Sequence, residues 1–251
     1  MNYLEYLNKY YGITQNPNTK DFMIIMKYYR LGSLKDYITK NFYNIKWNEK
    51  LQILQNIVLG LDHLHKQKII HRDLHSGNIL YENEFDVVIS DLGISKSSVD
   101  IDDGKIYGVT SYIAPEIFRK KGYTTASDIY SLGMIMWELI TSKMPFWDQS
   151  HDLELIVKIC KDLRPPICYD APKGYIELMR ECWDSDSDKR PPTFLILKKL
   201  TRIIEHEKDN PTEIIKSSNI GPIITISSNK SKSLSETIKL AESTRSSKLG
   251  K

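Results

Sequence analysis

The sequence has no apolar run approaching the ~20 residues a membrane-spanning helix needs. The nearest candidate, IYSLGMIMWELI (129–140), is short, follows Asp128 and contains Glu138, so it reads as a helix buried on nearly all sides. The N-terminal MNYLEYLNKY lacks both a basic n-region and an apolar h-region, which speaks against a secretory leader and for an intracellular protein. Cysteine is scarce. Cys160, Cys168 and Cys182 show no C-x-x-C spacing, which argues against a disulfide framework or zinc site and for small buried hydrophobes in a reducing compartment. A net charge of +3 is too small to suggest nucleic acid or a membrane surface as the main partner. Even that excess is local: from Pro211 onward there are seven Lys/Arg against three Asp/Glu. Finally, none of the twelve glycines falls into G-x-G-x-x-G, the spacing of a loop that covers phosphates.

What is present is the composition of a soluble globular domain, 41% hydrophobic and 27% charged over 251 residues. KYYGIT (9–14) and FMIIMKYY (22–29), joined by a turn at Asn16-Pro17-Asn18, predict a β-hairpin. Ser33 is placed to cap a short helix. Leu51, Leu54, Ile57, Val58, Leu61 and Leu64 recur at spacings of three and four, predicting an amphipathic helix over 47–66. Short strands are expected at 79–81 and 87–90. Helices follow at 127–142, 153–162, 175–183 and 194–207, separated by proline-bearing loops. After Asn210, 14 of 41 residues are Ser or Thr and aromatics vanish, which predicts a disordered tail with isolated β-prone runs such as IITI.

Between the long helix and the short strands lies IHRDLHSGNIL (70–80), which is dense in polar groups where a buried strand would otherwise continue. Phosphoryl transfer needs a carboxylate to accept or orient a hydroxyl proton, and oxygen ligands for magnesium. Asp73 suits the first task and Asn78 the second, five residues later on a loop that can fold back. VVISDLG (87–93) offers Asp91 as a second metal ligand at a strand end, beside Gly93. His63, His65, His71 and His75 could instead be read as a metal cluster, but no H-E-x-x-H pattern supports it.

HRDLHSGN resembles the protein-kinase catalytic loop H-R-D-L-x-x-x-N, and DLG resembles D-F-G with leucine for phenylalanine. YGVTSYIAPE (107–116), SDIYSLGMIMWEL (127–139) and DKRPPTF (188–194) are similar to later motifs of the same family, in the same order, over roughly residues 1–208. The resemblance implies an α+β, protein-kinase-like fold, with a nearly all-helical large lobe (30–208), a truncated small-lobe sheet and hinge (1–29), and the tail (209–251). It implies ATP and Mg²⁺ as cofactors and a protein substrate, with neither nucleic acid nor membrane as partner. Asp73 would be the catalytic carboxylate, with His71 as a packed structural residue, and Asn78 and Asp91 as metal ligands. Arg72 would read a phosphate on the activation segment, with Ser97, Ser98, Thr110 and Ser111 as candidate acceptors. Met26, the Lys27 and Tyr29 backbone, and Leu80 would contact adenine, and Arg190 would pair with Glu116.

The family's usual Lys two residues after the catalytic Asp is His75 here, and the Thr of its G-T-x-x-Y segment is Val109. No A-A-R or R-A-A insert follows Asp73, so the tyrosine-kinase-like group, which mainly phosphorylates Ser/Thr, is the better match. The glycine loop and the V-A-I-K lysine are missing, and Lys9, Lys20 and Glu5 lie too close to the hinge to replace that lysine and its glutamate partner. Two readings stay open: an active Ser/Thr kinase seen without its front, or a pseudokinase-like interaction module. Either is expected to bare apolar large-lobe surface.

Overall fold

The computed structural model describes residues 3–83, 87–98, 104–214 and 220–221. The hairpin forms as predicted: β1 (Tyr10–Gln15) pairs antiparallel with β2 (Phe22–Met26), with Gln15 opposite Phe22. Asn16 Oδ1 accepts the N–H groups of Asn18 and Thr19 at 2.9 and 3.3 Å, which closes the turn. No residue of either strand is buried. The hairpin bares apolar side chains, Ile13, Phe22 and Ile24 each being at least 60% exposed, and the large lobe bares others, among them Leu153, Tyr169 and Phe194.

Beyond the hairpin the chain is helical. Ser33 caps α1 (Leu34–Asn41) by accepting from the Asp36 N–H. The periodic run becomes α2 (Trp47–Lys66), and the later helices are α3 (Pro115–Phe118), α4 (Thr125–Thr141), α5 (Leu153–Cys160), α6 (Tyr175–Cys182) and α7 (Thr193–Asp209). Four short strands make two two-stranded sheets: β3 (Ile69–Ile70) with β6 (Lys96–Ser97), and β4 (Ile79–Tyr81) with β5 (Val87–Ile89).

Helix α4 is the axis of the core. Every residue from Ser127 to Thr141 is buried, as its apolar sequence requires, and α2 and α6 lie against it. Its two carboxylates, Asp128 and Glu138, reach the polar loop between β3 and β4. Cys168 and Cys182 are buried and Cys160 is half-buried; all three are free thiols.

Part of the stretch expected to be disordered is packed. Thr212 N–H donates to Glu207 Oε1 at 2.8 Å, Ile220 is buried in the core, and Gly221 N–H donates to the Thr141 carbonyl at 2.8 Å. A Ser/Thr-rich composition lowers the average drive to fold, but single isoleucines still find apolar surface. Residues 215–219 and 222–251, IITI among them, lie outside the described residues. Among the described residues no helix is long and apolar enough to cross a membrane.

Candidate active site

The polar loop between β3 and β4 is held from beneath by α4. Asp128 accepts the His71 N–H at 2.9 Å through one oxygen and the Arg72 N–H at 3.1 Å through the other, and His65 Nε2 lies 2.9 Å away. Arg72 has φ +73°, a strained left-handed conformation for a side chain of its size, and the bonds to Asp128 hold it there. His71 is fully buried. Its Nε2 lies 2.9 Å from the Ser90 carbonyl and its Nδ1 accepts the Asp73 N–H at 3.3 Å. It ties the loop to the end of β5, which fits a structural residue and not a proton carrier facing solvent.

Asp73 and Asn78 come together. Asn78 Nδ2 donates to the Asp73 carbonyl at 2.9 Å and approaches its carboxylate Oδ2 at 3.4 Å. With its amide nitrogen so engaged, the oxygen Oδ1 of Asn78 is left as the free ligand atom. The Asn78 carbonyl in turn accepts both Ser90 N–H (2.8 Å) and Ser90 Oγ (3.0 Å), fixing Asn78 to the chain leading into Asp91. Asp91 has φ +58°, exposing its carboxylate in the same cleft that Asn78 lines. That cleft measures about 540 Å³ and runs from Asn78, Gly77 and Asp91 to Met26, Leu80 and Ile24.

Met26 and Leu80 both line that cleft, and Lys27 and Tyr29 do not. The Lys27 N–H donates to the Lys9 carbonyl (3.1 Å), its amine pairs with Glu82 (3.2 Å), and the Tyr29 carbonyl accepts Gly32 N–H (3.2 Å). Closing the hairpin uses groups that the sequence left nominally available. Arg72 is enclosed as well: its guanidinium lies between the rings of Tyr107 and Tyr123, at 4.6 and 4.7 Å from their centroids. Of the candidate phosphate acceptors, Ser111 is fully buried and therefore closed to an incoming kinase, whereas Ser98 is exposed. The histidines considered as a metal cluster go separate ways, His65 to Asp128, His71 to Ser90 and His75 to the backbone of Gly77. Burial lowers the His75 pKa, opposed by the nearby Asp73 carboxylate and reinforced by His71 and Lys35.

Two features were missed. Glu138 accepts Ser76 Oγ at 2.9 Å and Tyr112 OH at 2.7 Å, binding the catalytic loop and the segment before α3 to α4. Lys50 is fully buried. The signal for Glu138 was a carboxylate in an otherwise apolar helix, which must find donors if buried. Burial pushes Glu138 up to about 7 against the two hydroxyl donors. Its folded pKa thus exceeds the unfolded one, so the contribution of this group to stability is full below about pH 4.5 and is lost as pH rises to about 7. Glu138→Gln should flatten that slope, by about 2–3 kcal/mol across the window, in urea titrations at pH 5 and pH 7.5.

The expected pairing of Arg190 with Glu116 is present, bidentate at 2.6 and 2.8 Å. It joins the A-P-E end of the loop to the segment before α7.

Comparison with known proteins follows the same motifs. The family model described as protein tyrosine and serine/threonine kinase matches residues 3–200. A putative serine/threonine-protein kinase/receptor, R826, of Acanthamoeba polyphaga mimivirus is 35% identical over 67% of this chain and 10% of its own length. Receptor-interacting serine/threonine-protein kinase 4 of Mus musculus is 31% identical over 84% of this chain and 28% of its own. Serine/threonine/tyrosine-protein kinase HT1 of Arabidopsis thaliana is 31% identical over 75% and 49%. The chain thus spans half or less of the length of these relatives. The loop, the α4 anchor and the Arg190–Glu116 pair all lie within the matched residues, and the chain belongs to the protein tyrosine and serine/threonine kinase family.

Proposed function

We propose that this chain transfers the γ-phosphoryl group of ATP to serine or threonine hydroxyls of a protein substrate. The observation that carries the reading is the approach of Asn78 to Asp73, with Asn78 and Asp91 lining one cleft. Asp73 would orient the acceptor hydroxyl and take its proton as the oxygen bonds to the γ-phosphorus and the bond to the β-phosphate oxygen breaks, releasing ADP. Asn78 Oδ1 and the Asp91 carboxylate are hard oxygen donors of the kind magnesium takes, and both would hold it. When bound, the ion would neutralise charge on the phosphates. Met26 and Leu80 supply apolar walls for the base, and Asp128 keeps the loop strained and fixed beneath the reacting groups. Ser/Thr preference is supported by the names of the relatives and by the lack of an A-A-R insert after Asp73.

The test is transfer of labelled phosphate from Mg-ATP to peptides carrying one Ser, Thr or Tyr. Asp73→Asn should lower turnover by about 10²–10⁴-fold without changing the urea midpoint. A second reading, an interaction module without catalysis, is favoured by one observation: among the described residues no Lys or Arg lines the cleft to meet phosphates. It wins if the folded wild-type chain transfers nothing, or if what it transfers is indifferent to Asp73→Asn.

A further inference from the structure

We propose that His75 is a positioning residue that holds the Asp73 carboxylate through its Nε2–H, a role that rests on the kinase reading above. His75 precedes the 3₁₀ turn Ser76–Asn78 and caps it: Nδ1 accepts the Gly77 N–H at 3.0 Å. A nitrogen that accepts carries no proton, so in the neutral ring the proton resides on Nε2. Nε2 stands 3.6 Å from Asp73 Oδ1. That oxygen is buried and has no hydrogen-bond partner among the described residues, whereas Oδ2 lies beside Asn78 Nδ2. A buried carboxylate oxygen without a donor is costly, and the donor standing beside it is the imidazole. The 3.6 Å separation is longer than a formed hydrogen bond, and a small rotation of the imidazole or the carboxylate would close it.

Two neighbours keep the ring in that place. A Cβ added at Gly77 would lie 2.6 Å from His75 Cε1 and 2.8 Å from Nδ1, so the ring fills the space a side chain would need. Gly108 packs close to Asp73, since a Cβ there would lie 3.0 Å from its Oδ1, and Val109 beside it carries no hydroxyl. The ring also packs against Tyr112, centroids 5.8 Å apart. Capping alone would need only an acceptor at the Nδ1 position. The second nitrogen, facing an unsatisfied oxygen of the reacting carboxylate, is what a cap does not explain.

The two nitrogens can be separated by mutation. His75→Asn keeps an acceptor for Gly77 and removes the distal donor. His75→Gln keeps a donor at the ε position and gives up the cap. His75→Asn should leave the urea midpoint unchanged and lower kcat by about 10–100-fold at unchanged KM, since misplacing a reacting group costs that much. His75→Gln should restore most of kcat with a lower urea midpoint. Gly77→Ala, which pushes the ring aside without altering its chemistry, should lose kcat like His75→Asn. Independently of turnover, long-range ¹H–¹⁵N spectra should show His75 as the Nε2–H tautomer, with an Nε2 shift that moves in Asp73→Asn. Wild-type kcat in His75→Asn, an Nδ1–H tautomer, or an Nε2 shift indifferent to Asp73 would each overturn the proposal. Absence of turnover in the wild-type chain would instead sink the kinase reading, and the imidazole spectra on the folded protein would still decide this one.

Discussion

Glu116→Ala is expected to lower stability by about 3–5 kcal/mol, and Arg190→Ala by a similar amount. The Arg190 side chain is completely shielded and Glu116 nearly so, so neither charge can turn to water when its partner is removed. In Glu116→Ala the guanidinium keeps, among the described residues, the carbonyls of Asp184 (2.8 Å) and Ala126 (2.9 Å) and the face of the Tyr130 ring at 5.1 Å. Those dipoles do not balance a full charge at low dielectric. In Arg190→Ala a carboxylate at the start of α3 is left buried without its cation. Urea titration of both single variants and of Glu116→Leu with Arg190→Met gives the coupling. The double variant should recover most of the loss, because desolvating the pair offsets much of its attraction. Single variants within about 1 kcal/mol of wild type would mean that water reaches the pair, against the burial seen here. Because the pair joins the loop after the catalytic segment to the region before α7, losing it should also loosen the peptide around Tyr112 and Ser111.

That pair was legible in the sequence because two distant motifs carried it in a known order. Helices were legible for a simpler reason. Trp47–Lys66 emerged with the boundaries its apolar spacing implied, since burying a stripe every three or four residues leaves one arrangement. The hairpin followed from its turn residues. What spacing left open was which polar groups are consumed by the fold. Nothing in KYY revealed that the Lys27 N–H closes the hairpin onto Lys9, or that Arg72 lies between two tyrosine rings contributed from 35 and 51 positions away. Asp73, Asn78 and Asp91 were nameable because their chemistry is constrained by type and separation. The Ser76–Tyr112–Glu138 cluster was not, because each member is ordinary in its own segment and meaningful only once α4 brings them together.

Lys50 carries the opposite lesson, for its position was visible and its consequence was not. It follows Trp47 by three residues and precedes Leu54 by four, which puts a lysine on the apolar stripe of α2. There it is fully buried, its ammonium 3.9 Å from the Phe42 ring centroid and 5.0 Å from that of Trp47, with no hydrogen-bond acceptor among the described residues. Ring faces attract a cation, but a desolvated ammonium with no acceptor costs more than they return. Burial therefore pushes its pKa down to about 7, with the Glu49 charge opposing. The folded value lies below the unfolded one, so between about pH 7 and 10.5 the unfolded chain binds a proton that the native state does not, and stability rises with pH. At and below neutrality the cost of the buried charge is fully present. Lys50→Met, which keeps the chain length and removes the ammonium, should raise stability by about 3–5 kcal/mol at pH 7 and by little at pH 10.5. Urea midpoints of wild type and variant at the two pH values read this directly. A variant no more stable at pH 7, or a gain that does not shrink as the solution is made alkaline, would show that the ammonium is satisfied in the native state.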